Sequence, residues 1–427
     1  MSFKSQDPSF GFERTVNVAG DLAGWDERPR EPASEQPGNL GGDVTKANTK
    51  PETPNPELPK ARYIMIGGFL GAGKTTAVLK LARHLHEGGV RVGLITNDQG
   101  SHLVDTAMAA SHGFPVEEIA GGCFCCRFNS LLDAARKLSA TNRPDVFIAE
   151  PVGSCTDLVA TVTYPLRRIY GEAFTISPLS VLVDPIRARR VFGLESGGRF
   201  SEKVLYVYRK QLEEADLIVI NKCDLLAPPA LKALRETLST SFPQAEVLEV
   251  SARRGDGLEP WFASLAGATQ QARAVMEVDY AIYGQGEALL GWLNATARFT
   301  AVAPLDGNGF LKRLSGAVQE RLSRQGAEIA HLKMTLDPDG GLGDLAVVNL
   351  VRNDFVAELS QELQGPAHAG EILINLRAEA PPEALRDAVR EAVADCGTAL
   401  PGCTIQLEHL ECFRPGQPQP THRVDSP

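Results

Sequence analysis

Three closely spaced cysteines, Cys123, Cys125 and Cys126, form a C-x-C-C motif in this sequence. Thiolates are soft ligands that suit Zn²⁺, Cu⁺ or, less selectively, Co²⁺. Two glycines before the motif permit a tight backbone, and Arg127 together with the following predicted helix favours the thiolate form. A structural zinc knuckle would carry a second ligand pair at C-x-x-C or H-x-x-x-H spacing, which we do not find. The motif therefore predicts an open, exchangeable metal site; a redox thiol pair or buried apolar cysteines are the alternatives.

Residues 68–75 read GFLGAGKT and fit the phosphate-loop pattern G-x-x-x-x-G-K-[ST]. A predicted strand ends just before this segment and a helix begins just after it, as the pattern requires. Glycines let backbone N–H groups point at phosphate oxygens, and the helix N-terminus adds partial positive charge. Lys74 is expected to neutralise the outer phosphates, and the Thr75 hydroxyl to bind Mg²⁺. A glycine turn with a chance lysine is the alternative.

A second motif, N-K-x-D, follows an apolar strand at Asn221, Lys222 and Asp224. The Asp224 carboxylate can accept hydrogen bonds from N1–H and the exocyclic amine of guanine, and adenine lacks that donor pair. Lys222 can lie along the base plane, and Asn221 can brace the loops; a helix-capping turn is the alternative. Ser251 and Ala252 hold the place of a second loop beside guanine. The predicted nucleotide-binding residues are Gly68, Gly71, Ala72, Gly73, Lys74, Thr75, Thr76, Asn221, Lys222, Asp224, Ser251 and Ala252.

Acidic residues follow two further strands. Glu150 is a candidate to hold Mg²⁺ together with Thr75, directly or through water, and Gly153 permits close approach to the γ-phosphate. Asp98 is a candidate to orient the attacking water or to help bind metal ions, and a turn-forming aspartate is the alternative. The predicted catalytic residues are Lys74, Asp98 and Glu150. A solvated glutamate at a strand end is the alternative for Glu150.

Apolar runs that alternate with helical stretches predict the scaffold of these motifs: a mostly parallel sheet covered on both faces. The predicted strands are Tyr63–Ile66, Val92–Ile95, Val146–Ala149, Ser180–Val183, Leu217–Ile220 and Val247–Val250. The predicted helices include Thr76–His86, Ser130–Leu138 and Pro229–Ser239. Together they predict an α/β P-loop domain over residues 61–268.

A smaller α+β domain is predicted over residues 277–427, close to a ferredoxin-like arrangement with an added strand. Its predicted strands are Leu293–Ala301, His331–Leu336, Leu345–Val351, Ile372–Arg377 and Thr404–Leu410, and its helices are Phe310–Gln325 and Pro382–Ala394. Cys396, Cys403, His409, Cys412 and His422 fall in this domain; they either form a second metal site or serve packing. Cys155 and Cys223 border the nucleotide segments and are interpreted as structural.

Composition excludes several function classes for this chain of 427 residues with a net charge of −10. Without a Lys/Arg block it lacks the electrostatic features of nucleic-acid or anionic-membrane binding. No segment resembles a secretory signal or a membrane span, so a cytoplasmic protein with free thiols is expected. Residues 1–60 are rich in proline and poor in apolar residues, which predicts a disordered tail.

The motifs, in this order, resemble the CobW-type metallochaperone GTPases. The resemblance rests on residues 67–76, the G-C-x-C-C segment ending at Cys126, the E-x-x-G segment beginning at Glu150, and N-K-x-D. It implies a GTPase that binds Zn²⁺ or Co²⁺ at the three thiols and passes the ion to a client metalloprotein or a cobalamin-related pathway. Nucleotide-dependent homodimers are common in the class. The chain lacks the histidine-rich run of many relatives, and its residues 1–60 contain no cysteine-bearing docking motif.

The sequence alone leaves two alternative functions open. One is a redox- or metal-sensing regulatory GTPase that binds a partner without transferring metal. The other is a P-loop kinase, which would use ATP and would leave the N-K-x-D motif unexplained.

Overall fold

The structure, a computed structural model, describes residues 60–97, 112–339 and 344–425. The predicted tail lies outside these residues except for Lys60, and Asp98 also lies outside them, so the expectations for the tail and for Asp98 remain predictions. Both sheets described below belong to the same compact unit of the chain. None of the helices in the described ranges is long and apolar enough to cross a membrane.

The first sheet is parallel, in the strand order β3-β2-β4-β1-β6-β7-β8, with β5 paired to the start of β1. Its strands are β1 (Ala61–Gly68), β2 (Val92–Asn97), β3 (Val116–Ile119), β4 (Val146–Glu150), β5 (Phe174–Ile176), β6 (Ser180–Val183), β7 (Leu217–Ile220) and β8 (Glu246–Glu249). The six predicted strands are confirmed within a residue or two at their ends. The short strands β3 and β5 were not predicted.

Helices cover both faces of this sheet. They are α1 (Lys74–Glu87), α2 (Phe128–Asn142), α3 (Tyr164–Tyr170), α4 (Pro185–Val191), α5 (Glu202–Glu213), α6 (Pro228–Ser241) and α7 (Leu258–Gly267). Successive strand residues point to opposite faces, so in β1 Tyr63 and Met65 join the core on one side and Ile64 and Ile66 the core on the other. This arrangement confirms the predicted α/β class.

The second sheet is antiparallel, in the order β12-β11-β10-β13-β9-β14. It follows the connecting helix α8 (Tyr280–Leu289) and contains β9 (Leu290–Leu305), α9 (Gly307–Arg324), β10 (Glu328–Pro338), β11 (Ala346–Leu350), β12 (Glu358–Gln361), β13 (Ala367–Glu379), α10 (Pro382–Thr398) and β14 (Cys403–Phe413). The central order β14-β9-β13-β10 is the ferredoxin-like order, which confirms the predicted arrangement. Two strands rather than one are added, because β11 pairs with a short β12.

The two sheets meet beside the phosphate loop. Leu345 and Val347 are buried in the same core cluster as α1 and α7. Consequently the antiparallel sheet forms a wall next to the carboxyl edge of the parallel sheet, where ligands bind in open α/β folds.

Candidate nucleotide and metal sites

The phosphate loop connects β1 to α1 and depends on glycine at two positions. Gly68 and Gly73 have φ angles of 131° and 90°, which side chains other than glycine rarely adopt. A Cβ atom on Gly68 would lie 2.3 Å from the backbone oxygen of Leu182, and one on Gly73 would lie 2.5 Å from Nδ2 of Asn221. Conformation and space therefore both require glycine where the loop curls.

Thr75 and Glu150, the predicted Mg²⁺ ligands, are hydrogen-bonded to each other. The Thr75 hydroxyl donates to Oε1 of Glu150 at 3.0 Å, and both side chains are buried. A hydroxyl and a carboxylate are the hard oxygen ligands that Mg²⁺ prefers, so this pair fits the ion. The ammonium group of Lys333, on β10, also donates a hydrogen bond to the Thr75 hydroxyl oxygen, at 3.0 Å. Sequence reasoning did not identify this cation.

Asn221 fastens three loops together. Its Nδ2 donates to the backbone oxygen of Ala72 at 2.9 Å, and its Oδ1 accepts from the backbone N–H groups of Lys222 and Ala252 at 2.8 and 3.0 Å. Ser251 is buried behind this junction, where its Oγ accepts from the N–H of Arg254 at 3.3 Å. The phosphate loop and the two predicted guanine loops are thus held in one arrangement.

A cavity of about 490 Å³ opens between these loops and the antiparallel sheet, within the range of small-molecule sites. The predicted residues that line it are Gly71, Gly73, Lys74, Thr75, Thr76, Glu150, Gly153, Asn221, Lys222, Asp224 and Ala252. Asp224 is exposed there, as a carboxylate that recognises a base must be. Lys333 and His331 line the opposite wall.

Asp184 links the N-K-x-D loop to Arg352, which follows β11 of the antiparallel sheet. Its buried carboxylate accepts from Nζ of Lys222 and from a guanidinium nitrogen of Arg352, both at 2.9 Å. Burial alone would raise the pKa of Asp184, but the charges of Lys222 and Arg352 outweigh it and hold that pKa well below its ordinary value. Lys222 also donates to the backbone oxygen of Gly71 at 2.8 Å. The antiparallel sheet is therefore coupled to the residues that frame the cavity.

The predicted thiols lie together in the turn between β3 and α2. The Sγ distances are 2.9 Å from Cys123 to Cys125, 3.3 Å from Cys123 to Cys126, and 3.6 Å from Cys125 to Cys126. The turn is tight because the N–H groups of Cys126 and Arg127 both donate to the Cys123 oxygen, at 3.0 and 2.9 Å. A tetrahedral Zn²⁺ with Zn–S bonds of about 2.3 Å separates its sulfurs by about 3.8 Å. The three predicted ligands would have to move apart by about 1 Å or less to reach that spacing.

The cluster concentrates negative charge on one sulfur. Hydrogen bonds with neighbouring thiols, first that of Cys125 and then those of Cys126 and Cys155, hold the pKa of Cys123 well below its ordinary value. The same sharing raises the pKa values of Cys125 and Cys126. A thiolate at Cys123 provides an initial ligand for a divalent cation.

Asn97, the last residue of β2, connects the cavity to the thiol turn. It lines the cavity. Its Nδ2 donates to the backbone oxygens of Ile119 and Gly122, at 2.9 and 2.6 Å. The segment carrying the predicted metal ligands is therefore fastened to a residue that lines the cavity.

The C-terminal segment, residues 414–425, crosses the thiol turn. The N–H of Gln419 donates to Sγ of Cys126 at 3.3 Å, and the N–H of Thr421 donates to the Cys125 oxygen at 2.8 Å. Further along, Arg423 pairs with the buried Asp157 at 2.8 Å. This segment covers part of the thiol turn, and the sequence contained no signal for that contact.

The remaining candidate ligands are dispersed. Among the described residues, only Cys123, Cys125 and Cys126 form a group of three or more potential ligands whose donor atoms all lie within 4.8 Å of one another. Cys396 is buried in the core of the antiparallel sheet, against which Cys403 and Cys412 also pack. We therefore retain packing as the interpretation of these three cysteines.

Comparisons with known proteins find relatives of this chain, and the family-model match falls in its parallel-sheet part. Residues 62–249 match the family model of the CobW/HypB/UreG nucleotide-binding domain. The zinc chaperone CobW of a Sinorhizobium species is 29% identical over 213 residues, 45% of this chain and 59% of that protein. The zinc chaperone YeiR of Escherichia coli K12 is 29% identical over 177 residues, 41% of this chain and 50% of that protein. The chain thus spans about half the length of the curated relatives it matches.

A third relative is the zinc-regulated GTPase metalloprotein activator 1 of Dictyostelium discoideum, 23% identical over 212 residues, 43% of this chain and 44% of that protein. Among crystal structures, the Zn(II)-bound YjiA GTPase of E. coli is 17% identical, with 78% of this chain and 99% of that chain covered and a TM-score of 0.35. A score this low supports no conclusion about function. The family model and the curated relatives, taken with the motifs, identify residues 62–249 as a P-loop nucleotide-binding domain of the CobW/HypB/UreG family.

Proposed function

We propose that this protein is a GTP-hydrolysing metallochaperone that binds Zn²⁺ or Co²⁺ at Cys123, Cys125 and Cys126 and delivers it to a client metalloprotein. The observation that carries the proposal is the position of Asn97, which lines the nucleotide cavity and hydrogen-bonds the turn that leads into the thiols. A change at the γ-phosphate that moves Asn97 would also move the metal ligands, as in other nucleotide switches.

In the proposed reaction the phosphates of GTP lie along the phosphate loop, whose backbone N–H groups and Lys74 stabilise the charge that develops during hydrolysis. Thr75 and Glu150 would hold Mg²⁺, which supplies further charge neutralisation when bound. Lys333 faces the same region and adds a positive charge from the antiparallel sheet. Asp98 remains the candidate for positioning water.

The base is proposed to be guanine, recognised by Asp224. An Asp224→Asn variant tests this directly, because the asparagine amide can donate to the C2 carbonyl of xanthine while its oxygen accepts from N1–H. The variant should bind GTP more weakly and XTP more tightly than the unmodified protein does. An unchanged preference for GTP over XTP would contradict the assignment of Asp224, and a preference for ATP in the unmodified protein would favour the kinase alternative.

The cargo is proposed to be zinc, with cobalt as the second candidate, because the thiol set suits either ion and two matched relatives carry zinc chaperone in their names. The client would present cysteine or histidine ligands that take over the ion. A reducing compartment such as the cytoplasm suits the free thiols. A nucleotide-dependent homodimer is proposed as well, and association with nucleic acid or membranes is not.

The test is a competition for Zn²⁺ between the anaerobically purified protein and a chromophoric chelator, with either GDP or a non-hydrolysable GTP analogue bound. The apparent zinc affinity should be higher with the analogue. A Lys74→Ala variant, in which the contact of the lysine with the phosphates is lost, serves as the control and should show a smaller difference in zinc affinity between the two conditions. Equal affinities in the unmodified protein would contradict coupling between the sites.

The alternative, a redox- or metal-sensing regulatory GTPase, is favoured by one distance, the 2.9 Å between the sulfurs of Cys123 and Cys125. A thiol titration distinguishes the two functions. A reversible disulfide within the C-x-C-C motif, in protein that carries no metal after anaerobic purification, would support the sensor.

A further inference from the structure

Residues 414–425, the segment that crosses the thiol turn, are attached to it by hydrogen bonds from two residues. The N–H of Gln419 donates to Sγ of Cys126 at 3.3 Å. Thr421 donates twice, from its N–H to the backbone oxygen of Cys125 at 2.8 Å and from its hydroxyl to the backbone oxygen of Cys126 at 3.2 Å. Cys126 is half-buried and the other two thiols are buried, so the segment lies against the most accessible of the three sulfurs.

The same segment has a second attachment, on the part of the chain that follows β4. Nε of Arg423 pairs with the carboxylate of Asp157 at 2.8 Å, and the N–H of Val424 donates to the backbone oxygen of Ala160 at 2.9 Å. The Asp157 carboxylate is buried, and the hydroxyl of Tyr280 also donates to it, at 2.6 Å. Because a buried carboxylate is unfavourable without a cation, the ion pair with Arg423 is the strong point of this attachment.

Before these attachments the segment is irregular and rich in proline. Pro415 and Pro418 are buried, whereas Gly416 and Gln417 between them are exposed. A Cβ atom on Gly284 would lie 3.0 Å from Cγ of Gln417, so the segment passes close over α8. It contributes neither a helix nor a strand to the part of the chain that the structure describes, and proline has no N–H to donate to a sheet. Its opening therefore breaks few hydrogen bonds and requires less free energy than the opening of a sheet strand.

We propose that residues 414–425 are a strap that closes the thiol turn, slows the exchange of its metal ion, and is displaced by a client that takes the ion. In the closed state the N–H of Gln419 occupies one side of the Cys126 sulfur, so an incoming ligand cannot approach from there. Loss of the pair between Arg423 and Asp157 removes the charged attachment and favours the open state. The statement about metal exchange rests on the proposed metal-binding function, whereas the statement about access to Cys126 does not.

The first test measures the alkylation of Cys126 by iodoacetamide in full-length, reduced, metal-free protein, with mass spectrometry locating the modified sulfur. Arg423→Ala should raise the alkylation rate of Cys126 about 5-fold or more, because the strap is then open for a larger fraction of the time. Arg414→Ala, which changes an exposed arginine of the same segment, is the matched control and should leave the rate within about twofold of the unmodified value.

A second variant, Gln419→Pro, tests the attachment at the thiol turn and retains the ion pair. It removes the N–H that bonds Sγ of Cys126, at a position that already lies between two prolines. The alkylation rate of Cys126 should again rise about 5-fold. Cys223, in the N-K-x-D loop, is the internal reference and should react at the same rate in every variant. An unchanged rate at Cys126 in both variants, or an equal rise at Cys223 through general loosening of the fold, would overturn the strap.

The rate of zinc release tests the effect on metal exchange. Transfer of Zn²⁺ from the loaded protein to an excess of chromophoric chelator, followed by stopped flow, should be faster in Arg423→Ala than in the unmodified protein, by about the factor found for alkylation. Arg414→Ala should release zinc at the unmodified rate. Equal release rates in Arg423→Ala and the unmodified protein would overturn control of metal exchange by the strap. If the unmodified protein binds no zinc, the proposed function fails, and alkylation of Cys126 still decides whether the strap closes the turn.

Discussion

The nucleotide cavity and the thiol turn lie at the same edge of one sheet, yet they are built for opposite charges. The cavity presents Lys74, Lys333 and backbone N–H groups, which favour a polyanion. The thiol turn presents sulfurs of which one is stabilised as an anion, which favours a cation. The contrast teaches that the same scaffold can bind two ligands of opposite charge, provided that the contacts between the sites are few and specific.

Removal of Lys74 should have the largest effect and should separate the sites. In Lys74→Ala the charge that stabilises the transferring phosphoryl group is lost, so GTP hydrolysis should fall on the order of 100- to 1,000-fold. Zinc affinity of the nucleotide-free protein should not change. Phosphate release and chelator competition measure the two quantities, and Lys137→Ala, on the exposed face of α2, is the control. A matching loss of zinc affinity without nucleotide would contradict the separation.

The reciprocal change is Cys123→Ser. It removes the sulfur that contacts the other thiols, so zinc affinity should fall on the order of 100-fold. The dissociation constant of GTP should stay within twofold of the unmodified value, as measured by fluorescence of a labelled nucleotide. A large change in GTP affinity would mean that the thiol turn contributes to the nucleotide site itself.

A smaller effect is expected from Lys333→Met, which keeps the length of the side chain and removes its charge. Lys333 donates to the Thr75 hydroxyl from the antiparallel sheet, so its loss should raise the KM for GTP or lower kcat by about 10-fold. Lys312→Met, at an exposed position of α9, is the matched control. Equal KM and kcat values for the two variants would show that the charge of Lys333 contributes neither to GTP binding nor to hydrolysis.

The smallest expected effect concerns Glu214, a buried residue that accepts hydrogen bonds from the segment after β4. Burial raises the pKa of Glu214 to about 8, although the N–H of Val159 and the hydroxyl of Thr156 donate to its carboxyl group. Because the folded state binds this proton more tightly, the contribution to stability is full below the unfolded pKa of 4.5 and is lost as pH rises towards about 8. Glu214→Gln should remove this dependence.

Urea unfolding at pH 6 and pH 9 provides the measurement. The unmodified protein should lose more unfolding free energy between these pH values than the Glu214→Gln variant does. Parallel pH profiles for the two proteins would show that Glu214 is ionised in the folded state at pH 6.

Sequence reasoning identified residues whose function depends on a local motif. The phosphate loop, the N-K-x-D loop and the three thiols are each short contiguous segments. Continuous apolar runs such as Leu217–Ile220 predicted the strands that precede the two nucleotide loops. It missed β3, β5 and β12. Strand β3 (Val116–Ile119) carries two glutamates and lacks a continuous apolar run, and β5 and β12 are only three and four residues long. It also missed Lys333 and Arg352, because these reach their partners through contacts distant in sequence.

The C-terminal segment has a practical consequence for every metal measurement on this protein. The hydrogen bonds from Gln419 and Thr421 hold this segment against the thiol turn. A polyhistidine tag fused after Pro427 would follow this anchored segment within a few residues, at a high local concentration next to the sulfurs. Its imidazoles would compete for the same ions, and zinc affinities should therefore be measured on protein from which any C-terminal tag has been removed.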